Sequence, residues 1–275
     1  MKAGDPFRIR DHVADFDDIV SDMVSRSEAT RAAIPLLPDI AYGHGPNETI
    51  DLFFPPGRRH GLPVHMFVHG GYWRMFSKRD YSYVADTVTK AGAIAVIVDY
   101  ALMPAVGMAV IVDQIGRAKR WVIENIAGCG GDPSQLTVSG HSAGAHLSTF
   151  LFNQAQVSSE ISAALLLGGI YDLKPLQSSF LQAEIGLTDT EVAEFSPLGH
   201  RHDPDTCVDI LVGEEETPPF HGQADNFAME LRHQGLSVSR CQLPKRNHMS
   251  SVSDLGTAGS AAYERLRSLI ETRRR

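Results

Sequence analysis

Short apolar runs recur along the chain, separated by polar stretches with helical periodicity. Residues 49–54 (TIDLFF) predict a strand stopped by Pro55-Pro56, and residues 64–68 (VHMFV) predict another that runs into His69-Gly70-Gly71. Residues 93–100 (AIAVIVDY) are nearly all apolar, as expected for a strand buried on both faces. Further strands are predicted at 136–139, 161–167, 208–212 and 238–243. Between them, Phe220, Ala224, Phe227, Ala228 and Leu231 fall on one face of a helix, and residues 110–126 and 261–269 follow the same rule. Strands alternating with helices predict an α/β fold: a mostly parallel central sheet with helices on both faces.

Two segments break this rhythm. The first 35 or so residues read as a polar, helical N-terminal arm. Residues 171–205 follow a strand but have weak periodicity and prolines at 175, 197 and 204. They predict an excursion over the carboxyl edge of the sheet, either a lid or pocket wall or a surface loop with a short helix. No repeat or low-complexity tract interrupts the chain, so residues 1–275 read as a single domain.

Composition narrows the partners. A formal net charge of -8 argues against nucleic acid and against docking on anionic membranes, both of which need clustered cations. The longest apolar stretch, 161–170, is too short to span a bilayer. The opening residues are charged throughout, so no secretory signal is expected. Cys129, Cys207 and Cys241 are odd in number and far apart, which predicts reduced thiols in a cytoplasmic protein. His200, His202, Asp203 and Asp205 match no closed zinc spacing, so no metal ligation is expected there. Arg273-Arg274-Arg275 suits a frayed helix end. The expected partner is a small-molecule substrate, with a homodimer as the common oligomeric state of soluble enzymes.

The candidate chemistry begins at Gly140-His141-Ser142-Ala143-Gly144, a G-x-S-x-G pattern. Five residues are a short pattern, and its context gives it weight. The apolar LTVS precedes it and the helix-forming AGAHLSTFLF follows. A sharp strand-to-helix turn would hold the Ser142 hydroxyl out at the top of the sheet, with the helix N-terminus aimed at the reacting centre. A serine hydroxyl is a poor nucleophile until a base takes its proton. For a serine on such a turn the chain order is serine, acid, histidine. Of His221, His233 and His248, the first two fall on the helix around Phe220. His248 lies in a polar stretch, 245–250, between the last strand and the last helix, and is the expected base. The acid should follow the strand at 208–212, where Glu214, Glu215 and Glu216 are adjacent. Glu216 is three residues beyond Gly213, a position from which a side chain can curl back to the histidine. It is favoured, with Glu215 second. Acyl transfer also builds negative charge on the carbonyl oxygen, so preplaced N–H donors are required. His69-Gly70-Gly71-Tyr72-Trp73 can supply them from Gly70, Gly71 or Tyr72, together with Ala143. Tyr72 and Trp73 line the pocket or pin the loop, and Trp73 is equally a core residue on this reading.

Set out in this order, the chain resembles the kynurenine formamidase (arylformamidase) branch of the α/β-hydrolases, near the hormone-sensitive-lipase-like esterases. The resemblance rests on HGGYW at 69–73, DYALMP at 99–104, GGDPSQLTVSGHSAGAHL at 130–147, GGIYDL at 168–173 and SPL at 196–198. ETPPFHGQ at 216–223 is similar to that branch's acid-S/T-P-x-F stretch, which supports Glu216 over Glu215. The similarity runs in order over about residues 40 to 265. It implies an α/β-hydrolase fold, no cofactor, and a serine hydrolase acting on a small aryl formamide or acyl ester. Tyr72, Trp73, Tyr171 and Phe220 are the expected contacts of an aromatic leaving group. Two features depart from the branch. Its acid is usually aspartate, one methylene shorter than the glutamate here. The N-terminal arm and the 171–205 excursion carry no substrate signature. The nearest alternative is a general short-chain carboxylesterase. A non-catalytic binding protein on this fold would usually have lost one of the three reacting residues.

Overall fold

The computed structural model describes residues 4–57, 60–153 and 158–272. Arg273-Arg274-Arg275 lies outside the described residues. Eight strands form one sheet in the order β1-β2-β4-β3-β5-β6-β7-β8. They are β1 (Leu36–Ala41), β2 (Thr49–Phe53), β3 (Leu62–Val68), β4 (Ile94–Val98), β5 (Gly131–His141), β6 (Ala163–Leu167), β7 (Cys207–Gly213) and β8 (Val238–Leu243). β1 and β2 pair antiparallel, as do β2 and β4. From β4 across β3 to β8, every pairing is parallel. Each residue of β3, β4 and β6 is buried, which is why these strands are apolar without alternation. His65 is the exception in β3. Its ring nitrogens lie 2.8 Å from Thr137 Oγ1 and 2.6 Å from Ser139 Oγ, partners supplied by β5.

Strand order decides where the helices go. The chain passes from β3 to β4 through α2 (Val84–Lys90), in one direction along the sheet. It returns through α3 (Met108–Asn125) to β5, and continues through α4 (Ala143–Thr149) to β6. Right-handed crossovers in opposite directions cover opposite faces. α9 (Ala261–Glu271) therefore packs with α2, while α3 packs with α4 and with α6 (Asp189–Phe195). α7 (Pro218–His233) follows β7 and packs on β7 and β8.

Several expectations change in detail. β1 is an additional strand that its sequence hid. It is an edge strand of mostly half-exposed or exposed residues, broken by a register shift between Leu37 and Ile40. Residues 4–35 contain α1 (Phe16–Ala33) and pack onto the rest of the fold. Phe7, Ile9, Val13, Phe16 and Met23 are buried in the core. Arg31 of α1 pairs with the fully buried Asp51 of β2. Lys78 reaches the same carboxylate at 2.8 Å and Asp39 of β1 at 2.6 Å. Buried charge persists only when paired, so this cluster fastens α1 to the antiparallel edge. The 171–205 excursion holds α5 (Gln182–Ile185), α6 and two 3₁₀ turns, and buries Leu176, Leu181, Leu187 and Phe195. Thr188 and Glu191 form a capping box at the start of α6. Among the described residues no helix is long and apolar enough to cross a membrane. Cys129, Cys207 and Cys241 are free thiols.

Candidate active site

The loops that follow β3, β5, β6, β7 and β8 all leave the carboxyl edge of the parallel strands, the edge where such sheets hold their ligands. Ser142 leaves β5 on a left-handed turn, φ 53° and ψ −117°, and α4 starts at the next residue. A serine held in this strained region is the local signature of an exposed nucleophile. The turn needs glycine behind it. A Cβ on Gly144 would sit 2.0 Å from the Val68 carbonyl oxygen, so the helix could not approach β3 with any larger residue. Ser142 N–H donates to Leu167 O at 2.8 Å, which fastens the turn to β6.

His248 is placed differently from the expected polar loop. It opens a short helix, α8 (His248–Ser253). Asn247 caps that helix: its Oδ1 accepts from Met249 N–H at 3.0 Å and Ser250 N–H at 2.8 Å, and Ser250 Oγ accepts from Asn247 N–H. His248 Nδ1 donates to Glu216 Oε2 at 2.8 Å. A carboxylate can only accept, so Nδ1 carries a proton, and in the neutral ring Nε2 is the atom with the free lone pair. Ser142 and His248 line the same small cavity.

The three glutamates separate cleanly. Glu214 is exposed and accepts from Lys245 N–H at 2.7 Å. Glu215 is exposed. Glu216 is buried, with Oε1 accepting from Gly213 N–H at 3.3 Å and Oε2 on the imidazole. The longer glutamate chain lets one carboxylate turn back to its own loop and still reach the histidine.

In the loop after β3, none of the Gly70, Gly71 and Tyr72 N–H groups is taken by a backbone carbonyl of the described residues. A Cβ on Gly70 would lie 3.3 Å from the buried Tyr81 hydroxyl, so this loop packs closely on Tyr81. Ala143 is the first residue of α4, so its N–H has no partner within the helix.

The expected aromatic contacts divide. Tyr72 and Ser142 line the same cavity. Phe220 is buried with its ring 4.6 Å from that of His248. Trp73 and Tyr171 are placed as core residues, which corrects the expectation that they meet a leaving group. Trp73 is buried and its Nε1 donates to His146 Nδ1 at 3.2 Å, while His146 Nε2 donates to Phe195 O at 2.8 Å. Tyr171 stacks on Phe227 with ring centroids 4.1 Å apart.

Other residues of the site carried no signal in the sequence. His141 is the unspecified x of the serine motif, and it is fully buried against His248, with ring centroids 4.6 Å apart. Its Nε2 lies 3.1 Å from His248 O and must donate there, so its Nδ1 accepts from Tyr81 Oη at 3.3 Å. Burial holds the His141 pKa well below the ordinary histidine value, so the ring is neutral. Residues 5–9 form a strap across the same edge. Tyr72 Oη donates to Phe7 O at 2.9 Å and accepts from Ile9 N–H at 3.0 Å. Thr217 Oγ1, next to Glu216, donates to Pro6 O at 2.7 Å. Phe180 N–H, from the excursion, donates to Asp5 Oδ2 at 2.5 Å. The Phe7 ring packs edge-on to Phe220 at 5.9 Å.

A family model described as the alpha/beta hydrolase fold matches residues 65–251, more than half of the chain. The chain belongs to the α/β-hydrolase family. This hydrolase is 29% identical to the kynurenine formamidase of Danio rerio over 245 residues, covering 86% of this chain and 82% of that one. It is 29% identical to the esterase LipQ of Mycobacterium tuberculosis, covering 76% of this chain and 56% of LipQ. The solved Pyrobaculum calidifontis esterase superposes with a TM-score of 0.78 at 16% identity, over 93% of this chain and 92% of that one. This last likeness concerns the fold alone. The chain is thus a hydrolase similar in sequence to formamidases and to esterases.

Proposed function

We propose that this hydrolase cleaves a small aryl formamide to an arylamine and formate, with N-formylkynurenine the best-fitting substrate. The observation that carries the chemistry is the buried Glu216–His248 pair, at 2.8 Å, beside the cavity that His248 shares with Ser142. The relatives named kynurenine formamidase support the substrate class.

In this mechanism His248 Nε2 takes the Ser142 proton as the oxygen attacks the formyl carbonyl. The oxyanion rests on N–H groups of the loop after β3, from Gly70, Gly71 or Tyr72, together with that of Ala143. Glu216 holds the imidazole tautomer and stabilises the imidazolium. His248 then protonates the leaving arylamine nitrogen, and the formyl group stays on Ser142. Water, deprotonated by His248, attacks the acyl-enzyme and releases formate. Three free thiols suit a reducing compartment such as the cytoplasm.

A short-chain carboxylesterase is the second reading, supported by the likeness to LipQ. The two differ in the leaving group, because an arylamine must be protonated and an alkoxide need not be. Turnover of N-formylkynurenine beside p-nitrophenyl acetate, in native protein and Ser142→Ala, tests both. Formamide turnover abolished by the substitution is the expected result. Ester turnover alone would favour the esterase, and an unchanged rate in Ser142→Ala would overturn the nucleophile.

A further inference from the structure

A cavity of about 20 Å³ adjoins Ser142 and His248. Tyr72, Met75 and Phe76 wall it from the loop after β3, and Met249 from α8. Two further apolar walls, beside Tyr81, are Ile9 and Phe16, which precede the stretch matched by the family model. Both are buried, at 3% and 8% exposure, although they belong to the chain's opening segment. They are held in place. Ile9 N–H is bonded to Tyr72 Oη, and the strap around it is fastened to Thr217 and Phe180. Phe16 begins α1, itself anchored through the buried Arg31–Asp51 pair.

A space that admits a single water measures about 10–15 Å³ on this scale. The cavity therefore takes a group of one or two heavy atoms and excludes an aryl ring. Of the two parts of an acyl substrate, only the acyl side can enter it. We propose that Ile9 and Phe16 are specificity-determining residues that close the acyl side of the site on one- and two-carbon groups. This rests on the reading of Ser142 as nucleophile. The selection lies outside the hydrolase core: the sheet and its loops supply the reacting groups, and the opening segment supplies the wall that limits size. Each methylene too many in such a space is discriminated by about 10–200-fold.

The test compares kcat/KM for p-nitrophenyl acetate and p-nitrophenyl butyrate in native protein, Ile9→Ala, Phe16→Ala and Ser142→Ala. These esters share a leaving group, and their acyl carbonyls are similarly reactive. Native protein should prefer acetate by at least about tenfold. Each alanine variant should shrink the acetate-to-butyrate ratio by about tenfold. The ratio is taken within one preparation, so a smaller folded fraction leaves it unchanged. Ile9→Val and Phe16→Leu preserve more of the packing and should move the ratio the same way by less. A native protein that does not discriminate, or a ratio unmoved in every wall variant, overturns the proposal while the Ser142 reading stands. Full turnover in Ser142→Ala overturns that reading and the proposal with it.

Discussion

Nε2 of His141 lies 3.1 Å from the main-chain carbonyl oxygen of His248. The histidine beside Ser142 thus holds the backbone of His248. Ser251 Oγ donates to the same oxygen at 3.0 Å. Tyr81 Oη, 3.3 Å from His141 Nδ1, packs in turn against Gly70 in the loop after β3. One neutral, buried ring therefore links three of the loops that the proposed acyl transfer needs in register. His141→Leu should lower kcat about 100-fold with little change in KM, the scale of a 1 Å misplacement. His141→Gln keeps a donor near the Nε2 position and should recover most of the rate. Native kcat in the leucine variant would refute a positioning role.

Glu216→Gln should reduce kcat by about 10⁴-fold at nearly constant KM, because the amide no longer fixes the tautomer. Glu216→Asp should fall between, since the shorter chain cannot reach both Gly213 N–H and His248 Nδ1. Glu215→Gln, on an exposed side chain, should leave the rate within about twofold. Steady-state kinetics of the three variants on one substrate decide whether Glu216 is the acid.

Gly168 follows β6 at φ 55°, directly behind Glu216 and His248. A Cβ there would lie 2.9 Å from Glu216 Oε1 and 3.1 Å from His248 Nδ1. Gly168→Ala should therefore cost about 1–3 kcal/mol in backbone strain and also push the pair apart. The expected signature is a loss of kcat of about tenfold or more in protein that remains folded at the assay temperature. Thermal unfolding and kinetics on the same sample check it. A stability loss without a kcat loss would mean that the pair relaxes around the methyl group.

Burial lowers the pKa of His65 to about 3 and of His146 and His202 to about 4, and holds His141 well below 6.5. In the unfolded chain each titrates near about 6.5. Between the two values the unfolded state binds more protons, so stability is complete above about pH 6.5 and is lost as pH falls toward the folded values. Each histidine contributes a slope of up to about 1.4 kcal/mol per pH unit across its window. Urea unfolding at about pH 7, 6 and 5 should show this decline, and His65→Asn should make it shallower. A flat profile over that range would contradict neutral burial of these rings.

Much of the architecture was legible because it follows from local rules. β3, β4 and β6 are buried on both faces, so their residues must be apolar wherever their neighbours come from. The Ser142 turn is equally local: strand, small residues and helix are adjacent in the chain. β1 was missed because an edge strand with half-exposed residues and a register shift need not alternate. The start of α8 was missed because its cap is only Asn247 and Ser250, two polar residues in a polar stretch.

By itself, the sequence determined the α/β alternation, the strained serine turn, and the short set of residues from which a base, an acid and N–H donors could be drawn. Tertiary structure decided which of them lie together. Three adjacent glutamates are chemically alike, and only the path of the chain after β7 buries Glu216 against His248 while leaving Glu215 in water. Phe7 and Ile9 are isolated apolar residues in a charged stretch with no period to read. They are buried because Tyr72, more than 60 residues along the chain, accepts and donates at that point. Periodicity records which face of an element is covered. It does not record which distant residue covers it, and the wall beside Ser142 is built from such distant pairs.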